Sequence, residues 1–179
     1  IDEAVKRYFG LEYDEGGKLA ASGHVDKNVL AELMEHPYLG QALPKTTGRE
    51  LFTLSEIEKV ISFDSLSPPD MIATLTAFSA ESIAKSYQDF VLPKGLDEIL
   101  VAGGGALNPT LMTMLRERLP TPIKTFEEAG WHSKDREALA FAVMGYFAYY
   151  GLPNTLPSAT GAKYATVAGK ISRRCESPT

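Results

Sequence analysis

Apolar positions along this chain recur mainly with the period of a helix. Residues 2–9 read as one helix that stops at Gly10. Residues 26–35 read as a second, starting at Asp26, carrying Val29, Leu30, Leu33 and Met34 on one face and ended by Pro37. Ser55 and Glu58 have the spacing of a capping box, in which side chain and backbone satisfy each other's free groups at a helix start. The longest pattern runs from Ser67 to about Val91. Ser67 can cap it, Pro68 and Pro69 suit its first turn, and Ile72, Leu75, Ile83, Tyr87 and Phe90 form a stripe. These signals predict a long amphipathic helix packed on a core.

The pattern then changes. LDEILVAGGG holds a short apolar run of strand length that ends in glycine. NPTLMTMLRERL follows with Asn108 as a good N-cap and Pro109 at the first helical position, and PIKTF is strand-like again. A strand, glycine turn, helix and strand in that order imply two parallel strands, and open parallel sheets bind ligands at the carboxyl ends of their strands. The glycines sit at that end. From Asp135 to Tyr150 a further helix is apolar nearly all round after a charged first turn, which predicts burial in the domain centre; Gly151 and Pro153 stop it. The remainder reads as surface loop and frayed tail. The predicted fold class is α/β and helix-rich.

Composition narrows the function classes. With 179 residues, 44% hydrophobic and 23% charged, the chain is long enough for one compact core. A net charge of −5, relieved only by the short Arg173–Arg174 pair, gives no pull toward nucleic acid or anionic membranes. No stretch approaches the ~18 apolar residues of a membrane span, and the amino terminus is not a signal peptide. Cys175, the single cysteine, cannot form an intrachain disulfide and reads as a free thiol in a loose tail, which suits a reducing compartment. A cytoplasmic location is expected. His24, His36 and His132 lack ligand spacing, so no metal site is expected. Phosphate-loop, nucleophile-elbow and zinc-protease motifs do not occur in these residues. Starting in helical periodicity without an initiator Met, the chain is expected to be part of something longer.

Gly103, Gly104 and Gly105 carry the candidate chemistry. Without Cβ atoms they let a planar or charged ligand lie against the main chain, while the helix starting at Asn108 presents N–H groups and a partial positive charge. One or two glycines would serve a tight turn alone; three exceed that need. A dinucleotide-binding oxidoreductase is the alternative: Gly103-x-Gly105 matches the start of its glycine fingerprint, and Glu127 or Glu128 lies where an acid binding the ribose would belong. Asn108 stands in place of the third glycine. A non-catalytic interaction module is a further competing class, because so few strands leave an edge and an apolar face to cover.

Three segments together are specific. HPYLGQALPKTTGRELF (36–52), VAGGGALNPTLM (101–112) and DREALAFAVMGYFAYYGLPNTLPSATGA (135–162), in this order, resemble the carboxyl-terminal half of the anhydro-N-acetylmuramic acid kinases, including the similar levoglucosan kinases. The resemblance runs to about Gly169. It implies the two-lobed sugar kinase, heat-shock ATPase and actin (ribonuclease H-like) fold, with residues 1–169 as part of the carboxyl-terminal lobe and 170–179 as a flexible tail. It further implies ATP with Mg²⁺ in the cleft and a 1,6-anhydro sugar beside it. Water would attack the anomeric carbon as the anhydro bridge opens, and the freed O6 would take the γ-phosphoryl group.

Carried over by motif, Gly103, Gly104, Gly105 and Asn108 would line adenine, ribose and α-phosphate. Glu137 matches a carboxylate that helps hold the sugar, although an acid at a helix start is also favourable through the helix dipole alone. No role follows for Pro44–Glu50, which reads as a loop fixed by local ion pairs. Members of the family place a D-x-G-P-G-N segment, whose Asp is the general base, ahead of a helix like IDEAVKRYFG. The base is therefore expected upstream of Ile1, this chain is expected to hold no catalytic residue, and the 179 residues alone are not expected to turn over. The parent is expected to be homodimeric. Which anhydro sugar it takes, and so whether it serves peptidoglycan recycling or anhydroglucose use, stays open.

Overall fold

The computed structural model describes residues 1–172; the Arg173–Arg174 pair and the Cys175 thiol lie outside the described residues. The chain divides into two compact units, Ile1–Ala129 and Gly130 onward. In the first, α1 (Asp2–Phe9), α2 (Lys18–Ser22), α3 (Lys27–Met34) and α4 (Leu54–Ile57) precede the long α5 (Pro68–Phe90). Then come β1 (Ile99–Val101), α6 (Pro109–Arg118) and β2 (Ile123–Thr125). The second unit holds α7 (Asp135–Tyr149) and the short α8 (Pro157–Thr160).

Local capping chemistry places most helix starts where the sequence predicts them. Asp26 accepts the N–H groups of Asn28 and Val29, Ser67 accepts that of Asp70, and Asn108 that of Leu111. One start differs. The predicted capping box at Ser55 gives way to Thr53, which accepts the Glu56 N–H, because this frame turns Leu54 and Ile57 into the core. The Leu54 N–H donates to Glu3 Oε2 at 2.6 Å, fastening α4 to α1.

Helix α5 organises two apolar clusters. Its first half packs Met71, Ile72, Leu75 and Phe78 against Val5, Ala20, Val29, Leu33, Leu54 and Ile57. Its second half presents Ala80 and Ala84 to Leu111, Met112 and Leu115 of α6 and to Ile99 and Ile123 of the strands. Small residues on one side let the two helices approach closely while the leucines fill the space between them. Because Ala80 and Ala84 form that contact, Ile83 lies outside it and is exposed, unlike Ile72 and Leu75 of the predicted stripe. Thr74 and Thr76 are fully buried and satisfied: their hydroxyls donate to the carbonyls of Asp70 and Ile72, both at 2.8 Å.

The predicted parallel pairing is present, with Ile99 opposite Ile123, Leu100 opposite Lys124 and Val101 opposite Thr125. A helix-rich α/β architecture results.

The expectation for α7 needs correction. Helix and stop are as predicted, with Gly151 in the left-handed region, yet no residue of α7 is buried, and Phe141 is 70% and Tyr146 59% exposed. A helix that is apolar all round is buried only if several elements surround it, and among the described residues of its own unit the other helix has four residues. The predicted loop beyond it has more structure than expected. Asn154 donates through Nδ2 to the carbonyls of Met144 and Ala168 and accepts the Ala168 N–H at 2.6 Å, while Thr155 and Thr166 bond to each other.

Candidate active site

The glycine turn is set by the strand before it and the helix after it. Ile99 N–H donates to Pro122 O and Phe126 N–H to Val101 O, so pairing brackets β1 and releases the chain at Ala102. Gly103 has φ 98° and ψ −176°, a backbone region essentially closed to side-chain-bearing residues. Residues Gly104–Leu107 then form one 3-10 turn, with Ala106 N–H donating to Gly103 O and Asn108 N–H to Gly105 O. These bonds come after the N–H groups of Gly104 and Gly105.

The three glycines have different explanations. Gly103 is required by its φ. At Gly105 a Cβ would touch Leu111 Cδ2 at 3.4 Å, ordinary contact. Gly104 has neither a left-handed φ nor any atom within 4 Å of where its Cβ would lie. Nothing within the chain requires glycine there, and the main chain at Gly104 is exposed. The turn is thus an open shelf of backbone at the carboxyl end of β1, ahead of the amino terminus of the ten-residue α6. The sequence-predicted Gly103, Gly104, Gly105 and Asn108 are brought together on it.

Asn108 has a defined structural use. Its Oδ1 accepts the Leu111 N–H at 3.0 Å and its carbonyl accepts Met112 N–H at 3.0 Å, so it is the hinge between turn and helix. Behind it lies a neighbour that motif reading missed. Gly17, left-handed at φ +67°, is so close that a Cβ there would fall 2.1 Å from Asn108 Oδ1. The only sequence signal for it is the Gly16–Gly17 pair, which by itself reads as a turn.

Glu137, in the second unit, lies on the first turn of α7 with its side chain 81% exposed and 3.8 Å from the guanidinium of its neighbour Arg136. That placement fits the helix dipole. Of the two acids of the dinucleotide alternative, Glu127 and Glu128, the second is otherwise engaged: Glu128 accepts the Thr125 N–H at 2.7 Å and pairs with Arg116 at 3.2 Å. The Thr125 N–H first, and the Arg116 charge after it, hold the Glu128 carboxyl below its ordinary pKa. It serves the turn after β2. The loop 44–50 is fixed through Lys45, which donates to the carbonyls of Tyr38 and Leu39, and through Glu50, which accepts the Gly48 N–H at 3.0 Å.

The donor sets differ for the two implied cofactors. A shelf that a Cβ would fill, beside a helix amino terminus, fits the planar and phosphate parts of a nucleotide. Among the described residues no three His, Cys, Asp or Glu side chains gather as metal ligands, so these residues do not fit a dedicated Mg²⁺ cage. Among the same residues no helix is long and apolar enough to cross a membrane.

Comparison with known proteins gives the family. The anhydro-N-acetylmuramic acid kinase family matches residues 1–174. Proteins named anhydro-N-acetylmuramic acid kinase are 42% identical over 174 residues in Francisella tularensis subsp. novicida and 40% identical over 177 residues in Bacillus cereus, each covering 96% of this chain and 46% of the relative. One from Rhodococcus erythropolis is 41% identical over 176 residues, covering 96% of this chain and 43% of the relative. The chain therefore spans about half the length of the curated relatives it matches.

Proposed function

The chain belongs to the anhydro-N-acetylmuramic acid kinase family, and from that premise we propose that it supplies the adenosine-binding wall of an ATP-dependent 1,6-anhydrosugar kinase. The observation that carries this reading is Gly104, a glycine that neither its φ nor any neighbour requires, on an exposed turn ahead of a helix amino terminus. Adenine and ribose lie on Gly103–Gly105, and the N–H groups there, with the positive end of α6, favour the α-phosphate. Glu137 accepts hydrogen bonds from sugar hydroxyls. Residues 1–169 form part of the carboxyl-terminal lobe of an actin-like kinase fold, and the whole protein is a cytoplasmic homodimer.

In the reaction proposed, water adds to the anomeric carbon, the 1,6-anhydro bridge opens, and O6 receives the γ-phosphoryl group of ATP. Mg²⁺, when bound with the nucleotide, offsets phosphate charge. Such transfer depends on groups placed around the whole γ-phosphate, and one wall of a cleft cannot provide them. Supplied with ATP, Mg²⁺ and either anhydro-N-acetylmuramic acid or levoglucosan, residues 1–179 alone are expected to release no ADP above background, whereas a chain of the relatives' length carrying them turns over. Steady ADP release by the 179 residues would overturn the one-wall reading; no release by the longer chain with either sugar would overturn the kinase reading.

A further inference from the structure

The 3-10 turn Glu15–Gly17 leads into α2, and its position is over-determined. Asp14 is buried, with its carboxylate accepting the N–H groups of Leu19 at 2.8 Å and Ala20 at 3.0 Å, while its carbonyl accepts the Gly17 N–H at 3.1 Å. Ala20 is buried in the cluster built on α5. The turn is thereby anchored to the core on one side. On the other it meets the start of α6: Thr110 Oγ1 donates to Gly17 O at 2.8 Å, and a Cβ on Gly17 would fall 2.1 Å from Asn108 Oδ1, 2.7 Å from Thr110 Oγ1 and 2.9 Å from Thr110 Cβ. Gly17 is thus glycine twice over, for its φ of +67° and for this approach.

We infer that Gly17 and Thr110 are positioning residues for nucleotide binding: they latch the Asp14–Gly17 turn to the cap residue Asn108 and so set where the glycine shelf stands. The shelf is held in front by β1 and behind through Asn108, whose side chain and backbone close both the shelf's last turn and the helix's first. A displacement of Asn108 therefore moves the carbonyl and N–H groups that face adenosine. The sugar is bound by other residues, so the latch acts on one substrate of the two. This rests on the proposal that nucleotide lies on Gly103–Gly105.

Gly17→Ala adds backbone strain and two collisions and risks misfolding, so Thr110→Val is the informative variant. It keeps the β-branched shape and removes the hydroxyl, and with it the 2.8 Å bond that ties Thr110 to the carbonyl of the buried Gly17. In the full-length kinase, Thr110→Val is expected to raise the KM for ATP about 5- to 10-fold with the KM for the anhydro sugar unchanged, and Thr110→Ser, which keeps the hydroxyl, to restore the original KM. Gly104→Val, measured alongside, tests the shelf itself. If Gly104→Val weakens ATP while Thr110→Val does not, or if Thr110→Val raises both KM values alike, the latch is overturned and the nucleotide site stands. If Gly104→Val leaves the KM for ATP unchanged, the nucleotide site falls and the latch falls with it.

Discussion

Replacing Gly104 by valine, in a chain of the relatives' length that carries these residues, is expected to raise the KM for ATP in the proposed kinase reaction about 100-fold or more while shifting Tm by less than about 2 °C. The two halves of this expectation have separate causes. Stability is spared because the φ of Gly104 is not left-handed and no atom lies within 4 Å of an added Cβ, so the side chain enters solvent, where substitutions typically change stability by no more than about 0.5 kcal/mol. Binding is expected to be lost because the same side chain projects from the shelf proposed to hold adenosine, and a loss of about 3 kcal/mol corresponds to a factor of about 100. Gly103 would not separate the effects. Its φ of 98° makes any side chain strained, so lost affinity there would be mixed with lost stability. Unchanged ATP kinetics in Gly104→Val, in a protein that melts normally, would remove the nucleotide from this turn.

The second large effect falls on the fold. Gly23→Ala is expected to destabilise by about 3 kcal/mol and to lower Tm by about 6 to 12 °C, read by thermal unfolding. A Cβ at Gly23 would lie 2.1 Å from the Pro69 carbonyl oxygen, 2.3 Å from its carbon and 2.7 Å from Asp70 N, all main-chain atoms of the first turn of α5. The segment cannot step aside. His24 N–H donates to Asp70 Oδ1 at 2.6 Å and Asp26 N–H to Thr74 Oγ1 at 3.0 Å, which fastens residues 24–26 to the same helix. The Ser67 hydroxyl, and with it the His24 N–H, hold the Asp70 carboxyl below its ordinary pKa, so it is an ionised acceptor at neutral pH. Gly40→Ala is the control: its φ is not left-handed and an added Cβ meets nothing within 4 Å, so its Tm should match the parent. Equal melting of Gly23→Ala and the parent would show that the α2–α5 junction is looser than this packing.

What could be read from the sequence divides along the range of the forces involved. Helix starts at Asp26, Ser67 and Asn108 were legible because a cap acts over three residues and leaves its signature in the adjacent sequence. The choice between Ser55 and Thr53 was not, since both frames offer a hydroxyl three residues before a glutamate and the decision rests on which frame buries Leu54 and Ile57. Apolar periodicity identified α7 as a helix but carries no information on what covers it, and in its unit little does. Asn154 gave no local signal because its partners Met144 and Ala168 meet it only through the folded loop.

The candidate site divides in the same way. Three glycines followed by Asn-Pro mark a strand, turn and capped helix, and the folded turn adds that backbone conformation requires glycine at Gly103 but not at Gly104 or Gly105. Gly17 was silent: its use depends on contact with Asn108 and Thr110, far along the chain. Glu137 is a different case. Both its sequence position and its exposed place on α7 are accounted for by the helix dipole, so its proposed sugar-binding role rests on the motif resemblance alone.

The most direct test is a crystal structure, with a non-hydrolysable ATP analogue, of a chain of the relatives' length that carries residues 1–179. Adenosine is expected in van der Waals contact with the main chain of Gly103–Gly105, with the Gly104 Cα facing the base or ribose and the α-phosphate toward the start of α6. A nucleotide bound elsewhere, with the Gly104 main chain open to solvent, would contradict it.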